Sequence, residues 1–177
     1  KNVSLEVCPR SALMLNFFIG TLKAINVKAR HTITETEKTS MSKGERREQE
    51  ILQTAADVFF RKGFHATSLE DIAKVIGIRK SSLYYYVQTK DELLFRIVQQ
   101  GLQAMTDQLQ VICRGEGPPF EKLRKAVENH ITEYDTQYST LGVNLREERS
   151  IASQYRKDYL AIRDTYEALF RGLISEG

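Results

Sequence analysis

The stretch TSLEDIAKVIGIRKSSLYYYVQTKDELL, Thr67 to Leu94, decides the fold of the chain. Ser68 stands three residues before Asp71, and this spacing predicts a capping box in which the hydroxyl accepts one orphan backbone N–H and the carboxylate reaches back to another. Gly77 then offers the positive φ that a helix C-terminus commonly needs. The apolar face between them has helical spacing and comprises Leu69, Ile72, Ala73 and Ile76. The stretch therefore opens with one short helix.

A second helix is predicted after the glycine, capped by Ser81 and with Leu83 and Val87 on its buried side. No acidic residue lies between Ile72 and Lys90, so the segment carries only positive charge. The residues left facing outward are Arg79, Lys80, Ser81, Ser82, Tyr84, Tyr85, Tyr86 and Lys90. A short helix, a glycine turn and a second helix with a cationic N-terminal end are typical of a helix-turn-helix, which fits the negatively charged major groove of DNA.

Residues 46–94 resemble the DNA-binding domain of the TetR family of bacterial transcriptional repressors. The motifs that carry the resemblance, in chain order, are Lys62-Gly63-Phe64, Ala66-Thr67-Ser68, Ile72-Ala73, Leu83-Tyr84-Tyr85 and Thr89 to Leu93. The resemblance implies a ligand-released repressor that binds operator DNA as a homodimer in the cytoplasm, with a small-molecule effector and no other cofactor. The sequence has no phosphate-binding glycine loop and no metal-ligand cluster, so an enzyme is not expected. A helical module that binds a protein partner is an alternative, against which the acid-free basic segment argues.

The resemblance also implies which residues contact DNA. The positions that match base-edge and nearby backbone contacts are Lys80, Ser81, Ser82 and Tyr84, and those that match phosphate contacts are Tyr85, Tyr86 and Lys90. Thr67 and Ser68 are further phosphate candidates at the start of the first helix. The usual Tyr-Tyr-His-Phe run has Tyr86 in place of His and Val87 in place of Phe, and both replacements are compatible with DNA binding. The alternative for the tyrosines is plain packing, with Tyr84 partly buried.

Composition places the chain among ordinary globular proteins. It has 177 residues, 28% charged and 41% hydrophobic, with a net charge of +3. Residues 1–40 carry six of the 26 Lys and Arg and three of the 23 acids, so the rest of the chain carries twenty of each and is neutral. DNA affinity must therefore come from a local patch. The two cysteines, Cys8 and Cys113, lack the spacing of a zinc site, and Cys113 fits a small buried hydrophobe.

Three segments are predicted. Residues 1–40 form an extension with little structure, since Met41 suits a natural start, although a helix at Ala12 to Ala24 is left open. Residues 41–90 form the helix-turn-helix domain, and residues 91–177 form a helical ligand-binding and dimerisation domain. This second domain is expected to be partial, because members of the resembled family carry two more C-terminal helices that pair two subunits.

The fold class that follows is all-α, a three-helix DNA-binding domain joined to a regulatory bundle. Thr89 and Glu92 predict a second capping box that opens a long helix. The later apolar positions recur at helical spacing, and the helices they predict are Phe120 to Tyr134, Tyr138 to Leu145 and Ile151 to Leu173. No alternating run argues for a strand.

The regulatory half is less informative about function. The candidate ligand-binding residues are Met105, His130, Tyr134, Tyr155 and Tyr159, and aromatic residues at this spacing are more often plain core. Residues 145–177 resemble the ligand domains of TetR-family regulators that respond to acyl-CoA and control lipid breakdown. A multidrug-efflux regulator is the alternative within the family. Arg146, Arg149 and Arg163 are candidates for an anionic ligand, or are solvated helix charges.

Overall fold

The computed structural model describes residues 41–176, with the side chains of residues 135 and 136 left out. The predictions for residues 1–40 lie outside these described residues. The helices are α1 (Lys43–Lys62), α2 (Leu69–Ile76), α3 (Lys80–Leu83), α4 (Lys90–Arg114), α5 (Pro119–Thr136), α6 (Tyr138–Glu147), a 3-10 turn (Glu148–Ser150) and α7 (Ser153–Glu176). No strand occurs within the described range, and the all-α prediction is confirmed.

Local sequence signals set the starts of α2 and α4. The predicted capping box of α2 is present, because the Ser68 hydroxyl accepts the Asp71 N–H at 3.1 Å and the Asp71 carboxylate accepts the Ser68 N–H at 3.0 Å. Gly77 ends α2 in the left-handed region, at φ 76°. The box predicted at Thr89 forms only in part. The Thr89 hydroxyl accepts the Glu92 N–H at 3.0 Å, but the Glu92 carboxylate accepts from the N–H of Gln88.

The prediction that Ser81 caps the second helix is wrong. Arg79 is the N-cap residue of α3, because its carbonyl accepts the N–H groups of Ser82 and Leu83 at 2.9 and 3.2 Å. The Arg79 side chain makes no capping hydrogen bond. Ser81 therefore lies inside a helix of only four residues. The chain continues as turns through Tyr86, and the predicted inward side chains, Leu83 and Val87, are both buried.

Two apolar clusters lie along α4. The larger one joins α1, α2, α3, the first half of α4, α6 and the start of α7, and its fully buried members include Phe59, Ile72, Leu83, Leu94 and Val143. The smaller cluster joins the second half of α4, the middle of α5 and the second half of α7. Its buried members are Leu109, Ala126, Phe170 and Leu173. Because α4 contributes to both clusters, it connects the helix-turn-helix to the distal bundle.

The apolar face predicted for α5 is only partly buried. Ala126 is buried and Leu123 and Val127 pack against the smaller cluster, but Phe120 is 71% exposed. Phe120 lies in the first turn of α5, next to the connection formed by residues 115–118, and this end of the predicted apolar face is open to solvent.

Candidate nucleic-acid interface

The segment that follows α2 presents a dense set of polar side chains to solvent. We call residues 79–87 the recognition segment. Tyr85 is 85% exposed and Tyr84 is 39% exposed, whereas Tyr86 is half-buried against the larger cluster. The remaining exposed members are Arg79, Lys80, Ser81 and Ser82. The structure therefore places every residue of the predicted base-edge set on one short exposed stretch, while the three tyrosines differ in burial.

Two buried side chains and one arginine hold this segment. Leu83 and Val87 insert into the larger cluster with 0% and 1% exposure. The Arg96 guanidinium of α4 donates to the Tyr86 carbonyl at 2.8 Å and forms an ion pair with Glu48 of α1. Arg96 thus ties the end of the recognition segment to two longer helices. The sequence offered no signal for this role, because an arginine in a helical pattern looks the same whether it is solvated or structural.

The start of α2 lies beside the recognition segment. Ser68 is exposed, and its hydroxyl both accepts the Asp71 N–H and donates to the Asp71 carboxylate at 2.7 Å. That hydrogen bond to Ser68 lowers the pKa of the Asp71 carboxyl below its usual range. Thr67 is buried, and its hydroxyl donates to the Gly63 carbonyl at 2.8 Å. The Thr67 side chain therefore faces away from the surface on which it was expected from the sequence.

The ammonium group of Lys90 is bound within the protein, although a phosphate contact from solvent was expected for it. Its ammonium group donates to the carbonyls of Phe64 and Thr67, both at 2.9 Å, and lies 4.3 Å from the centre of the Phe64 ring. Three favourable contacts, two hydrogen bonds and one cation–π contact, hold this group against the turn between α1 and α2. The positive charge of Lys90 stays at the surface, but its hydrogen-bonding capacity is largely used within the protein.

An open groove of about 500 Å³ separates the start of α2 from α3. Its lining residues are His65, Ala66, Thr67, Ser68, Leu69, Glu70, Asp71, Lys80, Tyr84 and Lys90. The carboxylates of Glu70 and Asp71 in this lining repel a nucleic-acid phosphate, whereas Lys80 and the α2 N-terminus attract one. The groove thus carries charge of both signs.

Arg79 is a cationic residue to which the sequence-based prediction gave less weight than to its neighbours. It is exposed at the N-cap position of α3, and no side chain in residues 41–176 pairs with its guanidinium. Lys80 follows it, with its ammonium 6.0 Å from the Tyr84 ring. The absence of acidic residues between Ile72 and Lys90 could have indicated Arg79, since an unpaired surface cation is available to a polyanion.

The five predicted ligand-binding residues have different surroundings. Tyr155 stacks on Phe95 with a 4.7 Å ring separation, and Tyr159 is buried in the larger cluster, where burial raises the pKa of its hydroxyl. Met105 is buried as well. A small cavity of about 40 Å³ lies between α1, α4 and α6, and none of the five residues lines it.

His130 and Tyr134 lie on α5. The His130 Nδ1 atom is 2.6 Å from the Tyr166 hydroxyl, and burial lowers the pKa of the imidazole to about 4. Tyr134 is half-buried, with its ring 6.0 Å from that of Tyr138. His130 and Tyr134 therefore have different neighbours from Tyr155 and Tyr159 of α7.

The three candidate anion-binding arginines also have different surroundings. Arg163 pairs with Glu148 and Asp164, and Arg146 donates to the Phe60 carbonyl at 3.0 Å. Arg149 lies exposed in the 3-10 turn. Across residues 41–176 no three acidic, histidine or cysteine side chains are grouped as metal ligands, and none of the described helices is long and apolar enough to cross a membrane.

Comparison with known proteins agrees with this geometry. The family model described as "Bacterial regulatory proteins, tetR family" matches residues 51–97, and the model described as "Tetracyclin repressor-like, C-terminal domain" matches residues 116–177. The chain belongs to the TetR family. The first match covers the recognition segment and every residue that lines the groove.

The chain matches only part of the length of its curated relatives in the TetR family. It is 26% identical over 118 residues to the HTH-type transcriptional repressor KstR2 of Mycobacterium tuberculosis, covering 67% of this chain and 59% of that protein. It is 36% identical over 58 residues to the HTH-type regulator YfiR of Bacillus subtilis, covering 33% of this chain and 28% of that protein. The chain thus spans less than two thirds of either relative.

Solved structures of the family share its fold. The TetR-family regulator PfmR from Thermus thermophilus superposes with a TM-score of 0.68 at 29% identity, covering 72% of this chain and 69% of that one. AibR, solved in complex with isovaleryl coenzyme A and operator DNA, superposes with a TM-score of 0.67 at 25% identity, covering 73% and 69%.

Proposed function

We propose that this protein is a DNA-binding transcriptional regulator whose recognition segment enters the major groove of an operator. The exposed, acid-free stretch from Arg79 to Tyr85 carries this proposal, because it is held from behind by Leu83 and Val87 while its polar groups face outward. Hydroxyl and ammonium groups on one short element can reach both phosphates and base edges. Membership in the TetR family and the similarity to AibR, which was solved with operator DNA, support the same role.

The proposed working form is a homodimer acting as a repressor in the cytoplasm. Two recognition segments related by a twofold axis read a palindrome whose half-sites are about 34 Å apart, one turn of DNA. The similarity to the repressor KstR2 supports repression over activation.

We also propose that a small molecule of the acyl-CoA type releases the protein from DNA. The isovaleryl coenzyme A complex of AibR supports this ligand class. A ligand bound in the bundle has to favour one spacing of the two recognition segments by only a few kcal/mol to change DNA affinity.

Selection of bound duplexes from a random DNA library, with the association state recorded by sedimentation, tests the DNA-binding proposal. We expect enrichment of a palindrome by a dimer. On the selected duplex, Lys80→Met should lower affinity and reduce the salt slope of log K by about 0.9, the value for one phosphate contact. Lys125→Met on α5 is the matched control, since Lys125 is also an exposed lysine but lies outside the interface. Equal behaviour of the two variants would contradict the assigned face.

Isovaleryl coenzyme A, titrated into the complex with the selected duplex, tests the ligand class. We expect DNA release at concentrations at which free coenzyme A has no effect. Equal effects of both compounds would assign any release to the nucleotide and oppose the acyl-CoA proposal.

A further inference from the structure

The turn between α1 and α2, residues 63–67, is held from two sides by charged side chains. From α6, the Glu147 carboxylate accepts the backbone N–H of Phe64 at 3.1 Å. From the first position of α4, the Lys90 ammonium donates to the carbonyls of Phe64 and Thr67, both at 2.9 Å. The N–H and the C=O of one residue are therefore bonded to an anion and a cation that belong to different helices. Such charge-assisted bonds are stronger than neutral ones and polarise the peptide groups between them.

The carboxylate of Glu147 is itself oriented. Its second oxygen accepts from the Ser150 hydroxyl at 2.8 Å, and that hydroxyl lies 3.2 Å from Nε2 of His65 in the same turn. One residue earlier, the Arg146 guanidinium donates to the Phe60 carbonyl at 3.0 Å and lies 4.4 Å from the Phe60 ring. A cation suits this place, since it meets the negative end of the α1 dipole. The end of α6 thus contacts the turn through its polar groups.

The Lys90 side of the turn leads directly to the recognition segment. Lys90 follows that segment by three residues and opens α4, so its position fixes where the segment joins the helix. The turn and the segment also share the groove, since His65, Thr67, Lys80 and Tyr84 all line it. A shift of the turn therefore changes both the anchor of Lys90 and the shape of that groove.

We infer that Glu147 and Lys90 are positioning residues, which hold the α1–α2 turn between α6 and α4 and so fix the recognition segment for DNA. This inference rests on the proposed function. It assigns Lys90 an internal role in place of the phosphate contact that its sequence position implies. It also makes DNA affinity depend on Glu147, a residue whose negative charge repels DNA.

Glu147→Ala and Glu147→Gln separate positioning from charge. Both variants remove the same negative charge, and charge alone predicts that both bind the selected duplex slightly more tightly than the parent chain. Positioning predicts that Glu147→Ala binds roughly tenfold more weakly, the factor for losing a hydrogen bond to a charged group. Glu147→Gln should retain parental affinity to within about threefold, because the amide oxygen still accepts the Phe64 N–H. Equal affinities of the two variants would overturn the inference.

Glu70→Gln is the matched control for charge. Glu70 lines the same groove and its ionic partner is Lys74, at 3.7 Å, so the change leaves the turn contacts in place. We expect it to bind DNA as tightly as the parent chain or more tightly. Ser150→Ala, which removes only the hydroxyl that orients Glu147, is the milder variant should Glu147→Ala fail to fold. It should weaken binding about threefold, and parental affinity for it would count against the inference.

The salt dependence of Lys90→Met decides between the two roles of the lysine. A positioning lysine lowers affinity without changing the slope of log K against log salt concentration, because no phosphate contact is lost. A phosphate ligand lowers the slope by about 0.9. A reduced slope, or parental affinity with a parental slope, would overturn the assignment for Lys90.

Amide hydrogen exchange provides a readout that needs no DNA. In Glu147→Ala and in Lys90→Met, but not in Glu147→Gln, the amides of residues 63–68 and of the recognition segment should exchange at least about fivefold faster. Unchanged exchange in the recognition segment would overturn the inference even if DNA binding holds. Failure of the parent chain to select any duplex would refute the proposed function alone, since the exchange experiment still tests the coupling.

Discussion

His130 should make the stability of the fold fall in mild acid. The imidazole is half-buried, with its Nδ1 atom 2.6 Å from the Tyr166 hydroxyl, and its removal from water lowers its pKa from 6.5 to about 4. A depressed histidine pKa means that the unfolded chain binds this proton before the folded chain does. The contribution to stability is therefore complete above pH 6.5 and is lost as the pH falls from 6.5 towards 4.

The size of the effect follows from linkage. At about pH 5 the unfolded His130 is almost fully protonated, whereas the folded one is still mostly neutral. The distance of about 1.5 pH units below 6.5, at 1.36 kcal/mol per unit, gives a loss of about 2 kcal/mol relative to neutral pH. Such a loss is a large share of the stability of a typical domain.

Urea unfolding of the parent chain and of His130→Gln, followed by circular dichroism at about pH 7.5 and about pH 5, measures this loss. Glutamine does not titrate and keeps a polar group near Tyr166. Other groups titrate alike in both chains, so the parent should lose about 2 kcal/mol more than the variant. If the two chains lose the same free energy to within about 0.5 kcal/mol, the His130 imidazole does not stay neutral in the folded chain at this pH.

Two further predictions concern local packing and capping. Ser68→Ala removes the hydroxyl that accepts the Asp71 N–H, and we expect urea unfolding to show a loss of about 1 kcal/mol. Gly142→Ala places a Cβ against the Phe60 ring, where α6 meets α1, and should cost about 1–3 kcal/mol. Gly172→Ala is its control, because nothing lies within 4 Å of the added Cβ and the substitution should stabilise α7 by up to about 1 kcal/mol.

Local signals made much of this fold predictable. The capping box of Ser68 and Asp71 needs only residues three apart, and the end of α2 needs only the φ of 76° at Gly77. Leu83 and Val87 were predicted to be buried because their spacing matches a helical turn, and they remain buried although α3 itself is only four residues long. Features decided within one helical turn can be read from the chain alone.

The surroundings of the site residues could not be predicted, because they depend on distant parts of the chain. Lys90 donates to carbonyls 23 and 26 residues away, and Glu147 accepts from Phe64 across 83 residues. Thr67 looks like a surface residue at the start of a helix, yet it is buried with its hydroxyl bonded to Gly63. A sequence pattern gives the element on which a residue lies, and the packing of elements decides what its side chain contacts.

Tyr85 and Tyr86 show that even consecutive identical residues can have different surroundings. Tyr85 is 85% exposed, whereas Tyr86 packs on the larger cluster and its carbonyl accepts from Arg96. Tyr85→Ala should therefore leave the unfolding free energy within about 0.5 kcal/mol of the parent and lower affinity for the selected duplex. Tyr86→Ala should lower affinity and also cost about 1–3 kcal/mol in stability, because it removes packed apolar surface. Equal stability losses for the two variants would contradict the assignment of Tyr85 to the DNA-facing surface and of Tyr86 to the core.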